Sequence, residues 1–256
     1  MSSQVWSLNE IPDVEIRRMP TGIPEMDLVY GKSILSGGTT ETGFPKGKIS
    51  YWAGERGVGK TRLAIVVSKL INKMGAKILV IQGEVLLHEF KQLTGTVAHP
   101  KNYFISDTKQ VDNIVPLINR LKPHLVIIDS ANMVEGFESR QDIKDIFSKL
   151  REAISVIGGH IIMIGQLNQD GSTKGGTRAP HLVDTVALLK IYHENIKQSD
   201  EEEKRMSDQE FSRYLDRLRE AQDKTKFIFE IGKHRYGKRG GKIIFEHVKK
   251  GIRVSN

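Results

Sequence analysis

The chain of 256 residues has no cysteine. That excludes a disulfide framework, a thiolate-bound zinc and a cysteine nucleophile, and it fits a reducing, cytoplasmic setting. No apolar run approaches the roughly 20 residues that a membrane span needs. The opening MSSQVWSLNEIPDVEIRRMP lacks the basic-then-apolar order of a signal peptide. No internal repeat appears. A cytoplasmic protein without a membrane partner is expected.

Acidic residues are in deficit, 31 against 39 Lys+Arg, for a net charge of +8. The excess is unevenly placed. Segment 199–224 holds six basic and nine acidic residues, whereas residues 226–256 hold nine basic residues and only Glu230 and Glu246 as acids. A basic stretch of that kind suits a polyanionic partner, nucleic acid first, although a basic surface also serves solubility.

Residues 1–47, rich in Gly, Thr and Pro from Gly31 onward, read as an irregular approach segment, and 48–256 as the main domain. From Lys48 the pattern alternates. KISYWAG (48–54), AKILVIQ (76–82), Tyr103–Ile105, LVIID (125–129), HIIMIGQ (160–166) and VDTVALLKIY (183–192) read as strands. Helices are expected at 60–75, near Leu86–Leu93, at 111–122 and through Ile143, Ile146, Phe147, Leu150, Ile154 and Ile157, which fall on one face. Such alternation predicts an α/β fold with a mostly parallel sheet flanked by helices. The tail after Lys226 reads as strand, Gly-bearing turn, strand and strand, an antiparallel extension at one sheet edge. Between the two styles, 199–224 predicts a charged helical insertion opened by a Ser207/Glu210 capping box, with Phe211, Tyr214, Leu215 and Leu218 as its seam.

Gly54-Glu55-Arg56-Gly57-Val58-Gly59-Lys60-Thr61 satisfies G-x-x-x-x-G-K-[ST] between a strand and an amphipathic helix. Glycines let backbone N–H groups turn inward onto phosphate oxygens, and the helix N-terminus adds positive potential. Lys60 is the expected partner of the β- and γ-phosphates and Thr61 an expected Mg²⁺ ligand. Asp129, at the end of LVIID, is positioned either to hold Mg²⁺ through water or to cap the next turn. Glu84, just past strand 76–82, is either a general base for the attacking water or an exposed loop residue.

These motifs resemble the RecA-type ATPase superfamily: the phosphate loop, Gly83-Glu84 and Asp129-Ser130. Arg18-Met19-Pro20-Thr21-Gly22-Ile23-Pro24-Glu25-Met26-Asp27 is similar to the R-x-x-TGI-x-E-x-D opening segment of the bacterial RadA/Sms branch. Lys233-His234-Arg235-Tyr236-Gly237 resembles its K-N-R-F-G signature, and His181–Val186 its H-x-V-D-T-V run. The resemblance implies a RecA-like fold with ATP and Mg²⁺ as cofactors, Glu84 as the catalytic carboxylate and Gln166 as a γ-phosphate sensor. Lys233 and Arg235 would be fingers reaching a neighbour's ATP site, or else contacts to DNA phosphates. It implies a homo-oligomer, usually a hexameric ring around single-stranded DNA. The Gly-rich loop 168–180 with Lys174 and Arg178, and a companion loop with Arg140, would face that DNA; they hold no Trp or Tyr, which suits backbone contacts.

Two departures stand beside the resemblance. The chain carries neither the four-cysteine zinc module nor the Lon-protease-like domain of that branch. Gly165-Gln166-Leu167-Asn168-Gln169 replaces its G-H-V-T-K and is closer to DnaB-type helicases. The expected activity is ATP-driven movement on single-stranded DNA in recombination or repair. The alternatives are a DnaB-type replicative helicase, an ATP-switched DNA-binding mediator without unwinding, and a KaiC-like signalling ATPase, which the basic tail disfavours.

Overall fold

The computed structural model describes residues 7–11, 13–137, 139, 141–166, 178–193, 222–249 and 251–255. Short elements come first: β1 (Arg18–Met19), α1 (Pro24–Tyr30), β2 (Lys32–Ile34), β3 (Thr40–Thr42) and β4 (Phe44–Pro45). The core follows as β5 (Lys48–Gly54), α2 (Lys60–Lys73), β6 (Ile78–Gln82), α3 (Leu87–Thr94), β7 (Tyr103–Ser106), α4 (Val111–Leu121), β8 (Leu125–Asp129), α5 (Asp142–Ile157), β9 (His160–Gln166), α6 (Arg178–Leu182) and β10 (Thr185–His193). Three strands close the chain, β11 (Gln222–His234), β12 (Lys242–Val248) and β13 (Gly251–Val254).

Among the described residues, nine strands make one sheet in the order β13-β12-β11-β10-β5-β9-β8-β6-β7. The six from β10 to β7 run parallel. β11, β12 and β13 add to that edge antiparallel, as expected. Apolar side chains cover both faces, which is why the inner strands read as nearly unbroken hydrophobic runs. Along β5, Trp52 packs with α2 residues Leu63, Val67 and Ile71, while Tyr51 packs with α5 residues Ile146, Phe147 and Leu150 on the other face.

The segment expected to be irregular holds elements after all. Pro24 at the first turn opens α1, and Met26 and Tyr30, four residues apart, are fully buried in the cluster that includes Trp52 and Phe229. The Tyr30 hydroxyl accepts a hydrogen bond from Trp52 Nε1 at 2.8 Å and reaches Ser50 Oγ at 3.3 Å. Phe44 stacks on His160 with ring centroids 4.5 Å apart. The expected insertion at 199–224, with its Ser207/Glu210 cap, lies outside the described residues as far as 221, and from Gln222 the chain is strand rather than helix. No helix among the described residues is long and apolar enough to cross a membrane.

Candidate nucleotide site

The candidate residues meet at the carboxyl ends of four neighbouring parallel strands, where open α/β sheets present their ligand crevice. In register, Gly54 of β5 pairs with Gln166 of β9, and Gln82 of β6 with Asp129 of β8. The loop after β5 turns through Gly57 and Gly59, both at positive φ, and Gly59 leads directly into α2. A cavity of about 1090 Å³ opens here, lined by Gly57, Lys60, Thr61, Glu84, Asp129 and Gln166 among others.

Lys60 is 8% exposed, and its ammonium donates to the Gly54 carbonyl at 2.8 Å and the Glu55 carbonyl at 2.6 Å. Burial lowers its pKa, against the pull of Asp129, Glu84 and Glu55. The Thr61 hydroxyl donates to Asp129 Oδ2 at 2.6 Å. Burial pushes the Asp129 carboxyl up to about 6; the Thr61 hydrogen bond and Lys60 oppose the shift, and Glu84 adds to it. Gln166 Nε2 donates to Glu84 Oε1 at 3.4 Å, and the Glu84 N–H donates to Gln82 Oε1 at 2.7 Å. A hydroxyl and a carboxylate in contact are hard oxygen ligands, and beside a glycine loop that leads into a helix N-terminus they fit Mg²⁺ with a phosphate group.

No family model matches the chain. Curated relatives do. The DNA repair protein RadA of Mycobacterium tuberculosis is 26% identical over 179 residues, covering 66% of this chain and 35% of that protein. RadA of Haemophilus influenzae is 26% identical over 197 residues (73% and 40%), and RadA of Bacillus subtilis 24% over 187 (70% and 38%). The chain thus spans 35–40% of the length of these relatives. A solved KaiC-like protein from Pyrococcus horikoshii has the same fold, with a TM-score of 0.64 at 20% identity over 94% of this chain and all of that one. The chain resembles the RadA proteins over about 70% of its length.

In this RadA-like core, Lys233 and Arg235 lie away from their own phosphate loop. Lys233 pairs with Val186, which pairs with Tyr51 at the middle of β5, and the chain then runs away from Gly54. The Arg235 N–H donates to the Asp184 carbonyl beyond the Thr185–Ser50 pair, so Arg235 sits toward the other end of the sheet. Lys233 donates to the carbonyls of Pro180 (2.7 Å), His181 (3.2 Å) and Val183 (2.8 Å), and burial lowers its pKa. Arg235 keeps 45% of its side chain exposed and touches Asp184 Oδ1 only at 3.4 Å. Lys174 and Arg140 lie outside the described residues, as does the side chain of Arg178, whose backbone opens α6.

Three site residues escape a motif search. Gln82 is buried and braces the Glu84 backbone. Asn132 lines the cavity with its Oδ1 buried and unpartnered. His247 of β12 fills the space that a Gly59 side chain would need: a Cβ there would lie 2.5 Å from His247 Cε1. Burial lowers the His247 pKa, while a hydrogen bond to the Val58 backbone opposes the shift. A polar residue ending an apolar strand was the available signal for Gln82; His247 had none, since 188 residues separate it from Gly59.

Proposed function

We propose that this core hydrolyses ATP and uses the cycle to act on single-stranded DNA in recombination or repair, as a homo-oligomeric ring, hexameric in the form the sequence resemblance implies. One observation carries this reading: Lys60, Thr61–Asp129 and Glu84–Gln166 converge on one cavity from four adjacent strand ends. The RadA relatives, DNA repair proteins by name, support the setting.

ATP would lie with its phosphates against the N–H groups of residues 57–61. Lys60 is poised to exchange two backbone carbonyls for β- and γ-phosphate oxygens, trading neutral acceptors for charged ones. Thr61 and Asp129 would hold Mg²⁺, Asp129 through water; the ion supplies neutralisation of charge on the phosphate oxygens. Glu84 takes a proton from the attacking water as its oxygen bonds to the γ-phosphorus, and ADP leaves with the electron pair of the broken P–O bond. Gln166, holding the Glu84 carboxylate and preceding the 168–180 loop, links the state of the γ-phosphate to the stretch that carries Lys174 and Arg178. Arg235 supplies positive charge to a neighbour's site.

The test is steady-state hydrolysis with and without single-stranded DNA, alongside nucleotide affinity, for the native chain and Glu84→Gln. Nucleotide binding with turnover lost only in the variant is expected. Wild-type turnover in Glu84→Gln removes Glu84 from the base role, and unwinding of a forked substrate separates a motor from an ATP-switched mediator.

A further inference from the structure

Arg18 sits at the amino-terminal ends of the parallel strands, the far end of the sheet from the phosphate loop, yet it is only 3% exposed. Its guanidinium bonds only to neutral oxygens. Nε donates to Ser33 Oγ (2.8 Å), Nη1 to the carbonyls of Tyr30 (2.7 Å) and Gly43 (3.0 Å), and Nη2 to the carbonyl of Tyr236. Burying a cation without a carboxylate is costly, and the arrangement asks for what only arginine offers, a planar fork reaching several acceptors at once. Three of the acceptors tie down the amino-terminal segment. The fourth lies 218 residues away, one residue past Arg235.

The turn that Arg18 reaches is fixed from other sides too. His234, 7% exposed, donates from Nε2 to the Tyr30 carbonyl at 2.7 Å, which leaves Nδ1 to accept from the Thr185 hydroxyl at 2.7 Å. Arg18 and His234 therefore share one carbonyl, that of Tyr30. The Arg235 N–H donates to the Asp184 carbonyl at 3.0 Å. Lys48 Nζ stands 4.8 Å from the centre of the Tyr236 ring. The backbone on both sides of Arg235 is thus clamped, while its guanidinium is half-exposed and held only by contacts of 3.4 Å. A fixed base with a loosely held tip suits a group that must reach a defined point outside its own chain.

We propose that Arg18 is a positioning residue for Arg235, holding the 233–237 turn so that the guanidinium is presented to the nucleotide site of a second copy of the chain. This rests on the reading of Arg235 as a finger acting between copies. A finger displaced by about 1 Å loses roughly 100-fold in rate, so Arg18→Lys, which keeps charge but not the fork, should lower turnover about that much. Nucleotide affinity should not change, because the phosphate loop is at the other end of the sheet.

The deciding experiment is mixing, with subunit exchange confirmed by labelling. Arg18→Lys with Lys60→Ala should recover activity: the Lys60→Ala copy supplies an intact turn to the intact phosphate loop of the Arg18→Lys copy. Arg18→Lys with Arg235→Ala should stay inactive, since neither copy presents a working finger. A residue that only stabilises the fold would not sort its partners in this way. Gly237→Ala provides a second variant should Arg18→Lys not fold. A Cβ there would lie 2.2 Å from His234 Cδ2 and 3.1 Å from the Tyr30 carbonyl, so it displaces the same turn and should give the same pattern. Wild-type turnover in Arg18→Lys overturns the proposal. So does failure of Lys60→Ala to rescue it under conditions where Arg235→Ala is rescued. Full activity of Arg235→Ala alone removes the finger reading itself, and this proposal with it.

Discussion

Asp129 is held where an ionised carboxylate is unfavourable. It is 3% exposed and carries a titration point raised from the ordinary 3.8 to about 6, chiefly by burial. A folded-state pKa above the unfolded one means that the folded state binds the proton more tightly, so the ionised form is what costs stability. The cost is complete above pH 6 and fades as the pH falls toward 3.8. Two pH units at about 1.4 kcal/mol each come to about 3 kcal/mol. Asp129→Asn removes that cost and keeps an oxygen to accept from the Thr61 hydroxyl. The raised titration point already includes what the charged carboxylate gains from Thr61 and Lys60, so nothing further is deducted for the neutral acceptor. A stabilisation of about 3 kcal/mol is therefore expected for the nucleotide-free chain at pH 8, shrinking toward zero between pH 6 and pH 4.

Urea unfolding of both chains at pH 8, 7, 6 and 5, without nucleotide or divalent cation, measures it. Other titrating groups are common to the two chains and cancel in the difference. In the same assay, Mg²⁺ with nucleotide should stabilise the native chain and do less for the variant, because one metal partner is gone. A variant that is less stable at pH 8, or one whose gain does not depend on pH, would refute the reasoning.

Lys60→Ala should abolish hydrolysis and weaken nucleotide binding, whereas Glu84→Gln should bind normally and turn over about 10²- to 10⁴-fold more slowly, as single-turnover rates and nucleotide titration will tell. Tyr30→Phe leaves the buried Trp52 N–H without its acceptor and should cost about 1–3 kcal/mol in urea unfolding; an unchanged midpoint would mean that the indole finds another partner. Binding to single-stranded DNA should weaken steeply with salt, and the Lys174/Arg178 double alanine variant should lower the log–log slope by about 0.7 per lost phosphate contact. An unchanged slope and affinity would take that loop out of the DNA surface.

The α/β core was readable in advance because its signals are local. A continuous apolar strand, a glycine loop and a 3.6-residue period each occupy one stretch of chain, and β5, the loop and α2 emerged within two residues of their expected bounds. The segment 18–47 was not readable in the same way. Its strands are two or three residues long and exist only through partners such as Phe44 against Met19. Even so, Pro24 at a helix start with Met26 and Tyr30 four apart was a usable sign of α1. Arg18 stood in a quoted motif, yet its acceptors on Tyr30, Gly43 and Tyr236 are backbone carbonyls, which no residue pattern reports.

If Arg235 acts on a nucleotide as proposed, the two ends of the sheet give the reason that it must act on a second copy of the chain. The phosphate loop, Glu84 and Asp129 crowd the carboxyl ends of the parallel strands, and Lys60 and the helix N-terminus are the positive charge aimed there. β10 carries the chain from the Val186 level to the loop side, and β11 returns antiparallel beside it, which leaves Arg235 at the opposite end. The strand register separates it from Gly54 by at least three residues along the sheet, on the order of 10 Å. Asp184, the carboxylate that Arg235 touches, is itself committed through Oδ2 to the Ile49 N–H at 3.0 Å, which pins the turn further to its own end. An arginine anchored there can meet a γ-phosphate only if another copy brings its own loop to that end. A head-to-tail contact of this sort repeats around a ring without any further device.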